Sequence, residues 1–257
     1  MVNAFSLKGK TALVAGASRG IGLAIAWGLG AAGARTILAA RSVEKLKAEA
    51  EAMTAAGGQA SALQLDVTSS DSIRAAAEAA GDIDILVNVA GTNVRKAFAD
   101  YSKEEYDRIL GTNLHGIVEL TQLAGTRMIR RGLGGKVVMI GSLMSLMSVP
   151  YVSIYAITKG GIGQLTRALA AEWGQYDIQV NCIAPGFILT ELNRAMWQDE
   201  EMQAWLRGSQ ANPRLGSPED IAPLAVLLSG RGADYITGQI IPVDGGFTTT
   251  RRWPYEP

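Results

Sequence analysis

The sequence is short of residues that several classes of function require. It has one cysteine, Cys182, and one histidine, His115. A lone cysteine cannot close an intrachain disulfide, and this pair cannot furnish a Cys/His metal site, so no metal is expected. Cys182 stands in the apolar stretch Val180-Asn181-Cys182-Ile183 and reads as inert core. His115 reads as packing or a local hydrogen bond, and a Ser-His-Asp hydrolase would have no other histidine to use. An excess of either charge is also missing. The 24 Lys plus Arg balance the 24 Asp plus Glu, which argues against a nucleic-acid partner bound by phosphate neutralisation. No apolar run approaches the roughly 18 residues of a membrane span, and the opening residues lack a basic segment leading into a long apolar one. The expectation is a soluble, cytoplasmic protein without membrane or nucleic-acid partners.

Core-forming residues, by contrast, are plentiful. Of the 257 residues, 48% are hydrophobic and 19% charged, far from the composition of a disordered chain. No Pro/Ser linker or charge block divides the chain, so residues 1–257 are read as a single domain. Short aliphatic runs at 11–15, 36–39, 62–65, 83–88, 136–140, 178–183 and 239–243 are strand candidates. Helical patterns lie between them at 20–30, 43–56, 70–80, 103–131, 155–176 and 218–228. Continuous apolar strands alternating with helices predict an α/β fold: a Rossmann-type doubly wound sheet of seven mainly parallel strands, with helices on both faces. Ligands then bind at the carboxyl ends of the strands.

The first strand runs into Gly16-Ala17-Ser18-Arg19-Gly20-Ile21-Gly22, which opens a helix. Glycines there allow a tight turn and let a pyrophosphate approach the unpaired N–H groups of the helix start. An NAD-preferring fold usually ends its second strand with an acid that bonds the ribose 2′-hydroxyl. Between Leu23 and Val43 there is no Asp or Glu, and the strand ends Ala39-Ala40-Arg41-Ser42. Arg41, with Arg19, can instead grip a 2′-phosphate, so NADP(H) is the expected cofactor, with Ser18, Ile21 and Ser42 beside it.

Tyr155 and Lys159 stand at i, i+4 on a predicted helix, on one face. A free phenol is a poor acid or base near neutrality, and a neighbouring ammonium favours its phenolate. Ser142 follows the fifth strand, thirteen residues before Tyr155. The glycine turn, Asn88-Val89-Ala90-Gly91, Asn113, Ser142, Tyr155, Lys159 and Pro185-Gly186 together resemble the classical short-chain dehydrogenase/reductases, over about 7–247. The resemblance implies roles for these positions. Tyr155 would be the general acid in ketone reduction and the base in alcohol oxidation. Lys159 would tune Tyr155 and bond the nicotinamide ribose, Ser142 would hold the carbonyl, and Asn113 would anchor a water in a proton relay. Asp66 and Val67 would flank the adenine. Asn88, Ala90 and Gly91 would line the adenosine ribose, and Pro185, Gly186, Ile188 and Thr190 would approach the nicotinamide. Ala15 and Val89 depart from the family pattern, which has Thr and Asn there.

Within the family, Phe5-Ser6-Leu7-Lys8-Gly9-Lys10 and 141–145 resemble the gluconate 5-dehydrogenase branch, and Gly91-Thr92-Asn93-Val94-Arg95-Lys96 resembles both that branch and the tropinone reductases. Arg95 is either a carboxylate clamp for a sugar acid or a surface cation. The substrate pocket would draw on Ser142, Tyr155 and Met144, with Leu143, Leu146, Met147, Val149, Tyr151, Phe187, Leu189, Leu192, Met196 and Trp197. That set is apolar enough for hydrophobic or cyclic ketones. The segment 188–213 reads as a lid. The resemblance also implies a homotetramer, and the aromatics of the tail 251–255, costly to leave in water, are expected to pack on a neighbouring subunit. The rival reading is a catalytically silent dinucleotide sensor on the same fold.

Overall fold

The computed structural model describes residues 4–191 and 193–249. Seven strands, β1 (Thr11–Ala15), β2 (Arg35–Ala40), β3 (Gln59–Gln64), β4 (Ile85–Asn88), β5 (Gly135–Ile140), β6 (Ile178–Pro185) and β7 (Ile240–Val243), form one sheet in the order β3-β2-β1-β4-β5-β6-β7. Every pairing is parallel, with Val14 opposite both Leu38 and Val87. The order reverses between β1 and β4, where neighbouring crossovers leave in opposite directions and open a crevice at the carboxyl ends.

β4 and β6 are buried along their whole length, which is why their sequences are runs and not alternations. On one face Val14, Leu38, Val138 and Ile183 pack against Ile25 and Leu29 of α1 (Gly20–Ala31) and Ile221 and Ala225 of α8 (Pro218–Ser229). On the other, Leu13, Leu86, Val137 and Cys182 meet Ile73 of α3 (Ser70–Ala80), Leu120 of α5 (Gly116–Arg131) and Ile162 of α6 (Ser153–Trp173). Burial pushes the Cys182 thiol above its ordinary range, in keeping with an inert core group. No described helix is long and apolar enough to cross a membrane.

Several boundaries differ from the sequence reading. The third strand begins at Gln59 and ends at Gln64, so Asp66 and Val67 lie in the loop beyond it. It is an edge strand and only half-buried, so Gln59, Ser61 and Gln64 are tolerated where an apolar run was sought. The expected helix 103–131 is three pieces: α4 (Lys103–Leu110), a widened π turn (Gly111–His115) and α5. Gly116 marks the junction, because a β-carbon there would lie 1.8 Å from the Val67 carbonyl oxygen. The segment read as a lid contains a helix, α7 (Glu200–Ser209), capped by the Asp199 carboxylate, which accepts from Met202 N at 3.0 Å. The tail 251–255 and Leu192 lie outside the described residues.

Candidate active site

The glycine turn is dictated by close approach. Gly16 has φ +100°, and a β-carbon on it would stand 2.7 Å from Ala90 N. One on Gly22 would stand 2.1 Å from Gly16 O, so α1 can sit on the turn only without a side chain there. The turn is tied to its neighbours by main-chain bonds: Gly16 N donates to Ala39 O at 2.7 Å, and Val89 N and Ala90 N both donate to Ala15 O at 2.9 Å. These bonds use the backbone of Ala15 and Val89, so the two departures from the family pattern leave them intact. Arg19 is the N-cap of α1, but no side chain caps the helix and no acid stands in its first turn. The positive helix end is therefore open to an anion. Ser18 is half-buried within the turn, and Ile21 packs on the core below it.

Two cations flank this cradle. Arg41 is exposed at the end of β2 with no carboxylate at ion-pair distance among the described residues, and Ser42 after it starts α2 (Val43–Ala55) without spending its hydroxyl on a cap. Arg19 faces the lid, 3.9 Å from Glu191, and both are well exposed. Asp66 holds the adjacent loop: its Oδ1 accepts from Thr68 Oγ1 at 2.7 Å and Thr68 N at 2.9 Å. These bonds, and to a smaller degree the charge of Arg41, keep its carboxyl below the usual range.

Asn88 ends β4 with its side chain turned inward. It is 2% exposed, and its Nδ2 donates to Thr121 Oγ1 at 2.9 Å, fastening the sheet to α5. Any approach of Asn88 to a ribose is thus left to its main chain. Beyond Ala90 the chain passes over the catalytic candidates: a β-carbon on Gly91 would lie 3.5 Å from Asn113 Oδ1 and 3.8 Å from Lys159 Nζ.

Asn113 is fully buried in the π turn. Its Oδ1 accepts from Thr92 N at 2.7 Å, while Nδ2 donates to Thr92 O at 2.8 Å and Thr158 Oγ1 at 3.2 Å. The amide is spent on pinning the loop after Gly91 to α6. Lys159 is 4% exposed, donates to Ile140 O at 2.7 Å and sits 5.7 Å from the centroid of the Tyr155 ring. No carboxylate lies at ion-pair distance from it among the described residues. A buried ammonium so placed is strongly responsive to negative charge arising nearby.

Ser142 follows β5, half-buried, in extended backbone. Its N donates to Ser145 Oγ at 3.3 Å, and Ser145 Oγ donates to Lys159 O at 2.7 Å. Ser145 thus fastens the Ser142 turn onto α6 at the lysine, a role the sequence reading did not assign. Its signal was the S-x-x-S spacing of a capped turn.

The Tyr155 ring packs in an apolar cluster. Tyr155, Val149, Phe187 and Phe247 pack on Leu143, Met144 and Val152. Phe187 meets Trp197, Trp205 and Phe247 edge to face at 5.5, 5.3 and 5.0 Å. Phe247 and Trp205 were not anticipated. Asp244 sets the first, accepting from Gly246 N, Thr248 N and Thr248 Oγ1 in a tight turn after β7. Leu146, Met147 and Tyr151, expected in the pocket, are exposed; Tyr151, at φ +68°, is 66% accessible. Its carbonyl accepts from Lys96 N at 3.0 Å, holding the stretch around Arg95 at the rim. Lys96 is neutralised by Glu105 at 2.8 Å, whereas Arg95 is exposed and has no ion-pair partner among the described residues.

Opposite the glycine turn, Pro185 closes β6, and Gly186 passes Asp244 so closely that a β-carbon would lie 2.6 Å from its Cα. Ile188 bridges to Gly216, and Thr190 N donates to Asn193 Oδ1 at 2.8 Å. The Thr190 methyl stands 3.6 Å from where a Gly20 β-carbon would be, so the start of the lid overlies the turn.

A family model described as enoyl-(acyl carrier protein) reductase matches residues 16–248. The chain is 38% identical to gluconate 5-dehydrogenase of Gluconobacter oxydans over 250 residues, 96% of this chain and 97% of that one. It is 38% identical to a tropinone reductase homologue of Arabidopsis thaliana over 249 residues, 95% and 94% of the two chains. The crystal structure of a gluconate 5-dehydrogenase from Burkholderia cenocepacia in complex with NADP and tartrate superposes with a TM-score of 0.93 at 35% identity, covering 97% of this chain and 99% of that one.

Proposed function

From the premise that the chain belongs to the short-chain dehydrogenase/reductase family and is an NAD(P)-dependent oxidoreductase, we propose that it interconverts a ketone and a secondary alcohol with NADP(H), Tyr155 serving as general acid and base. The observation that carries this is the convergence on Lys159: a buried ammonium beside the Tyr155 ring, under Gly91, and fastened through Ser145 to the Ser142 turn.

The residues fit the cofactor. The uncapped start of α1 and the glycine cradle suit a pyrophosphate, Arg41 and Arg19 a 2′-phosphate, and Lys159 a ribose hydroxyl. When bound, NADPH supplies hydride from the nicotinamide; the protein's part is position and proton. In reduction, Tyr155 gives its hydroxyl proton to the substrate oxygen, Ser142 donates a hydrogen bond to the same oxygen, and Lys159 stabilises the charge left on the phenol. NADP in the Burkholderia structure supports the choice between cofactors. Arg41→Asp is expected to lower kcat/KM with NADPH by about 10- to 100-fold, the loss of a charge-assisted hydrogen bond, and to raise the relative value with NADH. Equal preference in the wild-type enzyme would refute the assignment.

For the substrate, the sugar-acid relatives and the unpaired Arg95 favour a keto acid such as 5-ketogluconate, with Arg95 taking the carboxylate. The wall of Phe187, Phe247 and Met144 around Tyr155 favours a second class, cyclic or hydrophobic ketones, including bicyclic amino ketones. An open groove between α5 and α6, lined by Leu114, Val118, Leu165 and Ala168, suits the two-fold contact of the expected homotetramer.

A further inference from the structure

The lid carries a cavity of about 410 Å³ whose lining includes none of Ser142, Tyr155 and Lys159, although Leu189 and Trp197, expected at the substrate, stand in it. That volume accommodates a small organic molecule. Leu189, Trp197 and Leu206 supply apolar wall, and Arg194, Arg207 and Arg214 supply charge, while no Asp or Glu among the described residues lines it. Arg214 is committed: two of its nitrogens reach the two carboxylate oxygens of Asp220 at 2.7 Å each, which holds the Asp220 carboxyl far below the usual range. Arg194 and Arg207 are exposed and have no carboxylate at ion-pair distance among the described residues. Trp197 is 4% exposed, yet its indole N–H has no acceptor among the described residues. A buried donor without an acceptor is rare in folded proteins and invites a ligand.

The cavity therefore offers uncompensated positive charge and an unused donor against apolar surface. We propose that it is a binding site for a small organic anion, a carboxylate or phosphate ester carrying an aromatic or short aliphatic body, separate from the reaction cleft. The guanidinium groups of Arg194 and Arg207 take the anionic head, and Trp197 and Leu206 take the body. Its lining comes from three parts of the lid: Leu189, Arg194 and Trp197 before α7, Leu206 and Arg207 on α7, and Arg214 on the return. A ligand touching all three favours the conformation in which they lie together. Trp197 also links the cavity to the proposed chemistry, since its ring meets Phe187 edge to face, and Phe187 packs in the cluster containing Tyr155 and Met144. Occupancy should thus act on the KM of the ketone and leave kcat alone.

Titration calorimetry on the full chain saturated with NADPH tests this, because the loaded cofactor blocks the phosphate cradle. Phenyl phosphate should bind saturably at one site, inorganic phosphate more weakly, and phenol not at all. Arg194→Gln/Arg207→Gln should weaken phenyl phosphate at least tenfold with the affinity for NADPH unchanged, whereas Arg95→Gln, which alters the reaction cleft, should not weaken it. The proposal is overturned if phenyl phosphate fails to bind the wild-type chain, if the double variant binds it as before, if phenol binds equally well, or if Arg95→Gln removes the binding.

Discussion

Tyr155→Phe is expected to lower kcat by about a thousandfold, the scale of a positioned general acid, with NADPH affinity and fold unchanged. The substitution removes one oxygen and keeps the ring that packs on Leu143, Met144 and Val152. The hydroxyl takes part in no hydrogen bond among the described residues, so nothing in the scaffold depends on it. Its loss is confined to the proton that must reach the substrate oxygen as hydride arrives. Steady-state kinetics together with a fluorescence titration of NADPH separate the two quantities. Turnover close to the wild-type value would remove Tyr155 from the chemistry.

Lys159→Ala should cost about a hundredfold or more in kcat and, unlike the tyrosine variant, weaken NADPH as well. The ammonium is buried, bonded to Ile140 O at the end of β5, beside the phenol ring and next to Gly91, where the cofactor's ribose is expected. One group in that position would serve both the proton transfer and the dinucleotide. The same titration reads the difference: a fall in kcat with unaltered NADPH affinity would leave the lysine with the phenol alone.

Much of this site could be read before folding because its signals are local. The glycine turn and the Tyr155–Lys159 pair each lie within one strand-to-helix junction or one helical turn, where spacing determines geometry. The features that escaped are set by distant partners. The π turn at Gly111–His115 ends where the Val67 carbonyl forbids any β-carbon at Gly116, a contact between segments about fifty residues apart that no periodicity records. Phe247 joins the pocket because the Asp244 turn aims it at Phe187, and the polar start of β3 is acceptable only because the strand lies at the edge. Asn88 illustrates the converse. Its place in the motif was evident, but the buried Thr121 that captures its amide lies on another element. Tyr151, expected beside the apolar pocket residues, has a left-handed backbone and an exposed ring, a conformation that no periodicity records.

The most direct test of the whole account is transfer of label. The wild-type chain would be incubated with NADPH deuterated at the reactive nicotinamide carbon and, in separate reactions, 5-ketogluconate, a bicyclic amino ketone and an aryl ketone, with the products read by mass spectrometry. The account predicts an alcohol carrying one deuterium on the former carbonyl carbon from at least one of these ketones, and none when Tyr155 is Phe. Tight NADPH binding with no labelled alcohol from any of them would contradict it and leave the chain a dinucleotide-binding protein without this chemistry.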